Sequence, residues 1–501
     1  MDFIPSRYSA DELVLQAEKS FDTFSQQTRE DPDYPAIHLA PPVGRLNDPN
    51  GLVYQDGIYH AFYQYSPVHP IRAVFWRHAT SRDLTYWQDD KTAIAPVQWY
   101  DQNGCYSGSG LVGDKGELEF FYTGNVKNDR GERQTYQCLF TSDDGGKSFK
   151  RSADNPLISG PAPGYTAHYR DPHVFERQGR WWAVLGAQRQ NMTGAVVYYT
   201  SQDRRNWDFA GEIEFSDPSL SSFAYMFECP LLFSLEDQGS GQLLDVLMFC
   251  PQGLDAQGEK FNNIYQCGYI VGRLEGNYFE VLTPFTEFDS GFEFYAPQVF
   301  SGLADHQRQA VLLAWMGNAE QDDQPSWEHH WVHMLTYPRS LSLYEGKLYQ
   351  RPVPQLEQLL PTFPTQLGPA GQLLAYRSAA TFRLKAVLDL AATPINLNIF
   401  DSKGLAVVLT VDRDLMIMDR VGTRYTTGGS LRRANVNHQL EHSLDLLFDA
   451  SALEVFFDDG AVAFTGRTYF HGGIKSITFT SADGLPAPEK VKHIQFGQLE
   501  N

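Results

Sequence analysis

Cysteine and long apolar runs are both scarce in this sequence of 501 residues. Five cysteines are too few and too scattered for a disulfide framework. No C-x-x-C pair is present, so we expect no cysteine-based zinc site. No stretch approaches the roughly 20 apolar residues that cross a bilayer, and the N-terminus lacks a basic start followed by an apolar segment. These absences predict a cytoplasmic protein in a reducing environment.

Positive charge is also in short supply. Forty Lys and Arg residues against 61 Asp and Glu residues leave a formal net charge of −21. Nucleic acids and anionic membranes are bound by basic surfaces, so we expect neither as a partner. Hydrophobic residues make up 42% of the chain, which is enough for a large core. The length suggests two or three domains, and the oligomeric state stays open.

Helical periodicity is nearly absent after residue 30. Residues 9–27 resemble an amphipathic helix capped by Ser9, with Glu12 at the capping-box position. The remainder is rich in aromatic and β-branched runs of four to eight residues, separated by Gly, Asn and Asp. Residues 51–65, for example, read as a strand, an Asp-Gly turn and a second strand. The composition therefore predicts an all-β chain.

A unit of about 60 residues recurs five times in the first two thirds of the chain. Each unit has a short polar or proline-containing signature, an apolar strand, a turn and an aromatic strand. Five units of about four strands each predict a five-bladed β-propeller, and a pair of β-sandwiches without a true repeat is the alternative. The five signatures are anchored at Asp48, Ser107, Asp171, Glu228 and Ala296.

The pattern changes after the fifth unit. A stretch rich in proline and glycine precedes further strand-and-turn sequence that lacks the signatures. That final region is long enough for a β-sandwich and carries no evident catalytic cluster. We therefore expect a helical segment at 1–32, a propeller at 33–345, a linker at 346–371 and a β-sandwich at 372–501.

Three of the five signatures contain a carboxylate: Asp48, Asp171 and Glu228. Equivalent positions of successive blades converge on the axis of a propeller, so we expect these acids to meet at one mouth of the channel. A single Asp before Pro commonly caps a turn, but three acids at equivalent positions argue against three independent caps. Paired carboxylates can attack a sugar and protonate its leaving oxygen. Their mutual repulsion should raise one pKa, which keeps that acid protonated near neutral pH.

Other candidate groups are more ambiguous. Residues 327–333 contain three histidines but lack a matching set of metal ligands, so we expect a surface loop at the rim of the site. Cys229 follows an acid and either packs or tunes that acid's surroundings. Four amides are either satisfied structural groups or contacts for sugar hydroxyls: Asn47, Asn50, Gln64 and Gln298.

The three carboxylate signatures resemble those of glycoside hydrolase family 32, which comprises invertases, fructanases and sucrose-6-phosphate hydrolases. The matching stretches are 47–51 (NDPNG), 170–172 (RDP) and 228–230 (ECP), in that order. The resemblance implies a five-bladed propeller followed by a β-sandwich. It also implies a sugar substrate (sucrose, sucrose 6-phosphate or a short fructo-oligosaccharide) and no metal or organic cofactor.

The same resemblance implies roles for individual residues. Asp48 would be the nucleophile, Glu228 the acid and then the base, and Asp171 the stabiliser of the transition state. The reaction would retain configuration through a covalent fructosyl-enzyme, with the Asp48 and Glu228 carboxyls about 5–5.5 Å apart. Further residues would contact the fructosyl unit: Asn47, Gln64, Trp76, Ser107, Arg170 and Tyr295.

The sequence departs from many invertases at 71–78, where an expected aromatic wall is missing. Several other segments are most similar to the bacterial sucrose-6-phosphate hydrolase branch. A sugar phosphate needs basic groups at the outer subsite. The candidates are Arg72, Arg77, Lys127, Arg130 and His168. Fructan exo-hydrolysis or fructosyl transfer are alternative activities, and a non-catalytic sugar-binding propeller is the alternative outside the enzymes.

Overall fold

The computed structural model describes residues 10–70, 73–305 and 307–499. An α-helix at Ala10–Arg29 opens this part of the chain and buries Leu13 and Ala17, which are one turn apart on its apolar face. The predicted cap, Ser9, lies outside the described residues. A short α-helix at Leu356–Leu359 and four 3-10 turns are the other described helices, and almost everything else is strand or turn. The turns are Pro218–Ser222, Pro325–His329, Asp458–Gly460 and Pro488–Lys490.

Five sheets of four or five strands, numbered I to V, precede residue 353. Sheet I has the spatial order Trp331–Val332, Gly44–Gln55, Ile58–Ser66, Phe75–Ser81, Gln88–Ile94. Sheet II comprises Cys105–Val112, Leu118–Lys127, Arg133–Ser142 and Lys150–Arg151, with Ile158–Ser159 also paired to its third strand. Sheet III comprises Tyr165–Arg177, Arg180–Arg189, Gly194–Ser201 and Asp208–Glu212.

Sheets IV and V complete this first group. Sheet IV has the order Glu214–Phe215, Tyr278–Glu287, Gly268–Glu275, Leu243–Gln252, Met226–Glu236. Sheet V comprises Tyr295–Val299, Ala310–Met316, Arg339–Tyr344 and Lys347–Pro352, with Met334–Leu335 paired to its second strand. The last strand of sheet V therefore occupies residues that the sequence assigned to a linker beginning at 346.

Each of the five sheets contributes one strand to a ring, namely the strand that carries its sequence anchor, which is called here its first strand. The strand of Asp48 contacts that of Ser107, and contacts continue in order through the strands of Asp171, Glu228 and Ala296 back to the strand of Asp48. In chain order the strand with the anchor opens sheets I, II, III and V and is the second strand of sheet IV, after Glu214–Phe215. The recurrence read from the sequence corresponds to a recurrence of sheets.

The ring closes through a segment that the sequence placed on the surface. Trp331 and Val332 pair in parallel with Gly44 and Arg45 of the first strand. Trp331, Val332 and His333 are fully buried. The prediction of a surface loop at 327–333 was therefore wrong for its second half, because closing the ring brings these residues between sheets I and V.

Two further sheets, VI and VII, follow residue 362. Sheet VI has the order Phe363–Pro364, Val491–Gln498, Thr381–Asp389, Glu441–Asp449, Ala452–Phe457, Val462–Arg467. Sheet VII has the order Leu431–Asn435, Leu415–Asp419, Gly404–Val411, Ile395–Asp401, Ser476–Ser481. Alternate residues of both sheets enter one shared apolar core, including Leu384, Leu446, Leu397 and Phe479.

Buried charges join the two groups of sheets. Arg339 of sheet V bonds Glu454 of sheet VI at 2.6 Å and Asp289 at 3.1 Å. His38 contacts Asp449 at 2.8 Å and Glu454 at 3.0 Å. Burial opposes charge on His38, but these two acids outweigh it and raise the pKa of His38 to about 9. The junction is thus a paired ionic network. Within the described residues, no helix is long and apolar enough to cross a membrane.

Trp331→Ala should strongly destabilise the protein. The indole is fully buried, its Nε1 donates to Asp31 at 2.7 Å, and Arg467 lies over its ring. Truncation leaves a cavity at the ring closure and removes the donor to Asp31 Oδ2, so we expect the free energy of unfolding to fall by about 3–5 kcal/mol. Chemical denaturation followed by tryptophan fluorescence measures this loss. Trp99→Ala is the matched control, since Trp99 is 61% exposed; equal effects of the two changes would contradict the closure assignment.

Candidate active site

Asp48, Asp171 and Glu228 line one cavity of about 1100 Å³. The cavity lies where the first strands of the ring meet. Four of the other residues that the resemblance implied also line it: Asn47, Gln64, Arg170 and Tyr295.

A register shift interrupts strand pairing at each of the five signatures. In sheet I it falls between Leu46 and Pro49, in sheet III between Arg170 and His173, and in sheet IV between Glu228 and Leu231. Equivalent shifts occur in sheets II and V. Such bulges turn a side chain away from its regular face. They account for three acids facing the ring axis from strands whose neighbouring residues are core.

Asp48 accepts hydrogen bonds on both carboxylate oxygens. Ser107 Oγ donates to Oδ2 at 2.6 Å, and Asn47 Nδ2 donates to Oδ1 at 3.2 Å. Gln64 joins these donors, because its Nε2 lies 2.5 Å from Ser107 Oγ and 3.4 Å from Asp48 Oδ2. Burial raises the pKa of Asp48, the bonds from Ser107 and Asn47 lower it, and the charge of Glu228 raises it further; the net direction is upward. The amide and hydroxyl network holds one carboxylate orientation.

Glu228 is surrounded by donors. Arg170 donates to Oε1 from Nε at 3.0 Å and also from Nη2. Tyr295 OH and Gln252 Nε2 each donate to Oε2 at 2.6 Å. Burial alone would raise the pKa of Glu228, but the charge of Arg170 and these hydrogen bonds outweigh it and lower that pKa. Glu228 is therefore ionised in the free site at neutral pH.

Asp171 has fewer donors than the other two acids. Its Oδ2 accepts from the backbone nitrogen of Cys229 at 3.0 Å, and its φ of +65° places it in the left-handed region. Burial raises the pKa of Asp171, Arg170 opposes this, and the charges of Glu228 and Asp48 add to it, which brings the pKa to about 7. The sequence predicted one acid with a raised pKa; in the free site the pKa values of Asp48 and Asp171 are both raised, and that of Glu228 is lowered.

Cys229 contacts two of the acids. Its Sγ lies 3.8 Å from Asp48 Oδ2 and 3.6 Å from Asp171 Oδ2. Burial raises the pKa of this thiol well above its usual value, so it stays protonated and can donate weakly to either carboxylate. Cys229 therefore positions the acids as well as packing beneath them.

Two of the expected contact residues do not line the cavity. Trp76 is fully buried, and its Nε1 donates to the Tyr106 carbonyl at 3.1 Å. It fills the core directly behind Gly51, where a Cβ would come within 3.0 Å of the indole. Ser107 is also fully buried and acts through Asp48. Trp76 therefore packs behind the first signature and does not form the expected contact with the sugar.

The two remaining amide candidates are structural. Asn50 is fully buried, and its Oδ1 accepts from the backbone nitrogen of Gly108 at 3.2 Å, which ties sheet I to sheet II. Gln298 is buried and is absent from the residues that line the cavity.

The five basic residues considered for a phosphate subsite lie in different surroundings. Arg77 is buried and bonds Asp89 at 2.6 Å. His168 contacts Arg170, and burial together with that charge lowers its pKa to about 4, so it is neutral. Arg130 is exposed outside the cavity lining, whereas Lys127 lines the cavity. Arg72 lies outside the described residues.

Several cavity residues escaped the sequence analysis. They share no motif. Two stand next to the first two signatures, and the others lie between signatures or after the last one: Arg45 and Tyr106 in the first group, and Asn125, Arg133, Gln252, Tyr265 and Trp315 in the second. Arg45 Nη1, for instance, donates to Asn47 Oδ1 at 2.7 Å. Among the residues that the structure describes, no group of three His, Cys, Asp or Glu side chains could hold a metal ion.

Comparison with known proteins gives consistent results. The family description "Glycosyl hydrolases family 32 N-terminal domain" matches residues 38–352, and "Glycosyl hydrolases family 32 C terminal" matches residues 357–498. The sucrose-6-phosphate hydrolase of Bacillus subtilis (strain 168) is 38% identical over 463 residues, which cover 91% of this chain and 92% of that protein. The sucrose-6-phosphate hydrolase of Klebsiella pneumoniae is 37% identical over 491 residues, 96% of each chain.

A solved structure agrees with these matches. The structure of sucrose-6-phosphate hydrolase from Lactobacillus gasseri superimposes with a TM-score of 0.85 at 27% identity and covers 96% of both chains. Because the two family domains match nearly the whole chain and both curated relatives exceed 30% identity, the chain belongs to glycoside hydrolase family 32.

Proposed function

We propose that this protein is a β-fructofuranosidase, a glycoside hydrolase that cleaves the fructosyl bond of sucrose or sucrose 6-phosphate with retention of configuration. The observation that carries the proposal is the meeting of Asp48, Asp171 and Glu228 in one cavity with different donors on each. Family membership and the named activity of the relatives support it.

In the first step, Asp48 attacks the anomeric carbon of the fructosyl unit. The bond from that carbon to the bridging oxygen breaks, and Glu228 gives its proton to this oxygen, which leaves as the alcohol of glucose or glucose 6-phosphate. Ser107, Asn47 and Gln64 hold the attacking carboxylate in one orientation. This preorganisation reduces the reorganisation needed to reach the transition state.

In the second step, Glu228 takes a proton from water, and the resulting hydroxide displaces Asp48 from the anomeric carbon. Fructose is released and both carboxyl groups regain their starting state. Tyr295 and Gln252 donate to Glu228 Oε2 and so stabilise its ionised form, which is the form that acts as base.

In this proposal Asp171 accepts hydrogen bonds from fructosyl hydroxyl groups. It also stabilises the positive charge that develops on the sugar ring in the transition state. The three acids share one proton in the free enzyme, and Asp171 holds it because its pKa is about 7. Hydroxyl donors from a bound fructosyl unit favour the ionised form of Asp171, and the shared proton then moves to Glu228. Arg170, which bridges toward both acids, balances the charge during this transfer.

We further propose that the five sheets of residues 44–352 are the five blades of a propeller and that sheets VI and VII form the β-sandwich. The ring of first strands and its closure by Trp331–Val332 support the blade count. The linker then falls at 353–362, between sheets V and VI. All five cysteines are free and buried, which supports a reducing, cytoplasmic location.

Asp48→Ala should abolish turnover while the fold remains intact. Loss of the nucleophile removes the covalent route, so kcat on sucrose or sucrose 6-phosphate should fall at least about 10³-fold. Fructose release measures the rate, and circular dichroism checks the fold. Asp143→Ala, at an exposed aspartate, is the control. Proton NMR of the wild-type reaction should show β-fructofuranose first; an active alanine variant or initial α-anomer would contradict the mechanism.

Activity should decline as pH rises through about 7. The productive free enzyme needs one proton within the carboxylate set, and the raised pKa of Asp171 sets where that proton is lost. In the substrate complex the proton lies on Glu228. Tyr295→Phe removes a donor that lowers the pKa of Glu228, so the alkaline limb of kcat, which reports that complex, should move upward by about 0.5–1 pH unit. Tyr278→Phe, at a half-exposed tyrosine of sheet IV, is the control. An unmoved limb in Tyr295→Phe would refute this coupling.

A further inference from the structure

A hairpin of sheet II forms one wall of the cavity. Its strands, Leu118–Lys127 and Arg133–Ser142, pair so that Asn125 lies opposite Thr135 and Lys127 lies opposite Arg133. Residues opposite one another on antiparallel strands share a face, as do residues two apart on one strand. Asn125, Lys127 and Arg133 therefore project from one face, and all three line the cavity.

Asn125 is a buried amide without a partner. Its side chain is fully buried, and neither its nitrogen nor its oxygen has a hydrogen-bond partner among the described residues. Buried amides in proteins are almost always satisfied, and an exception on a cavity wall indicates a group that a ligand completes. Asn125 therefore marks this wall as a binding surface.

Two cations stand beside this amide. Neither Lys127 nor Arg133 forms an ion pair with a described acid within 4.0 Å, and the Arg133 guanidinium lies 5.7 Å from the ring centroid of Tyr106. Asp129, in the turn between the two strands, also lines the cavity and opposes an anion. The balance at this wall is two cations against one acid, on a chain whose net charge is −21.

The wall lies on the side of the general acid. The Arg133 charge is close enough to Glu228 to lower its pKa, and it acts on His168 in the same way. Since Glu228 protonates the oxygen of the leaving sugar, that sugar must lie on this side of the cavity. The cations of sheet II therefore face the leaving group and not the fructosyl unit.

We infer that Asn125, Lys127 and Arg133 form the subsite for the phosphate of a phosphorylated hexose leaving group. This inference rests on the proposed function. Arg133 pairs with phosphate oxygens through its planar fork, Lys127 supplies a second positive charge, and the Asn125 amide donates to the phosphate or to an adjacent sugar hydroxyl. The assignment selects sucrose 6-phosphate over sucrose as the substrate.

The kinetic test compares kcat/KM on sucrose 6-phosphate, sucrose and raffinose, which carries a neutral galactosyl unit where sucrose 6-phosphate carries phosphate. The wild-type protein should prefer the phosphorylated sugar by at least about tenfold. Arg133→Gln and Lys127→Gln should each lower the ratio of sucrose 6-phosphate to sucrose by about tenfold or more, and Arg133→Lys should restore part of it. A preference for sucrose or raffinose, or an unchanged ratio in Arg133→Gln, overturns the inference.

Arg130→Gln is the matched control. Arg130 lies in the same turn, is exposed and does not line the cavity. Its substitution removes one positive charge from the same hairpin, so it tests whether net charge alone steers the substrate. The ratio should stay at the wild-type value, and a fall equal to that of Arg133→Gln overturns the assignment to a specific subsite.

A binding measurement separates this inference from the proposed function. Calorimetry should show that the wild-type protein binds glucose 6-phosphate at least about tenfold more tightly than glucose, and that Arg133→Gln loses this difference. Such binding without fructose release from any substrate would reject the proposed function and keep the phosphate subsite. Fructose release together with equal affinity for glucose 6-phosphate and glucose would reject the phosphate subsite and keep the proposed function.

Discussion

Three carboxylates crowded into one cavity are the constraint on which this structure depends. Each charge loses hydration on burial and repels the other two. One guanidinium, that of Arg170, offsets much of this repulsion through its contacts with Glu228 and its proximity to Asp171. The unequal share of that charge separates the acids: Glu228 is ionised, while Asp171 takes the proton with a pKa near 7. The chemistry follows from this separation.

The ring of sheets holds the acids at this close approach. A register shift at each signature turns one residue toward the axis, and the regular strand on either side stays packed. Closure by Trp331 and Val332 then prevents sheets I and V from separating. The buried pairing of Arg339 with Glu454 attaches sheet VI to the ring behind the cavity. Repulsion at the centre is thus resisted by packing and ion pairing at the periphery.

Sheet II contributes none of the three catalytic acids, yet it supports both ends of the reaction. Ser107 on its first strand orients the nucleophile Asp48. The hairpin beyond it presents Asn125, Lys127 and Arg133 to the side where the leaving sugar departs. One sheet therefore links the position of the attacking group to the recognition of the departing one, which is a physical basis for selecting a substrate by its leaving group.

The sequence by itself determined the β class, the five recurring units and the three acids, because strand alternation, turn residues and short signatures are local features. It also predicted that the acids meet, since repeats impose equivalent positions. Only the tertiary structure decided that Trp76 is core and not a sugar contact, that 331–333 closes the ring, and that Arg133 reaches the cavity. It likewise decided which acid holds the proton. Each of these outcomes depends on neighbours from distant segments, and burial and electrostatic fields are set by those neighbours and not by local pattern.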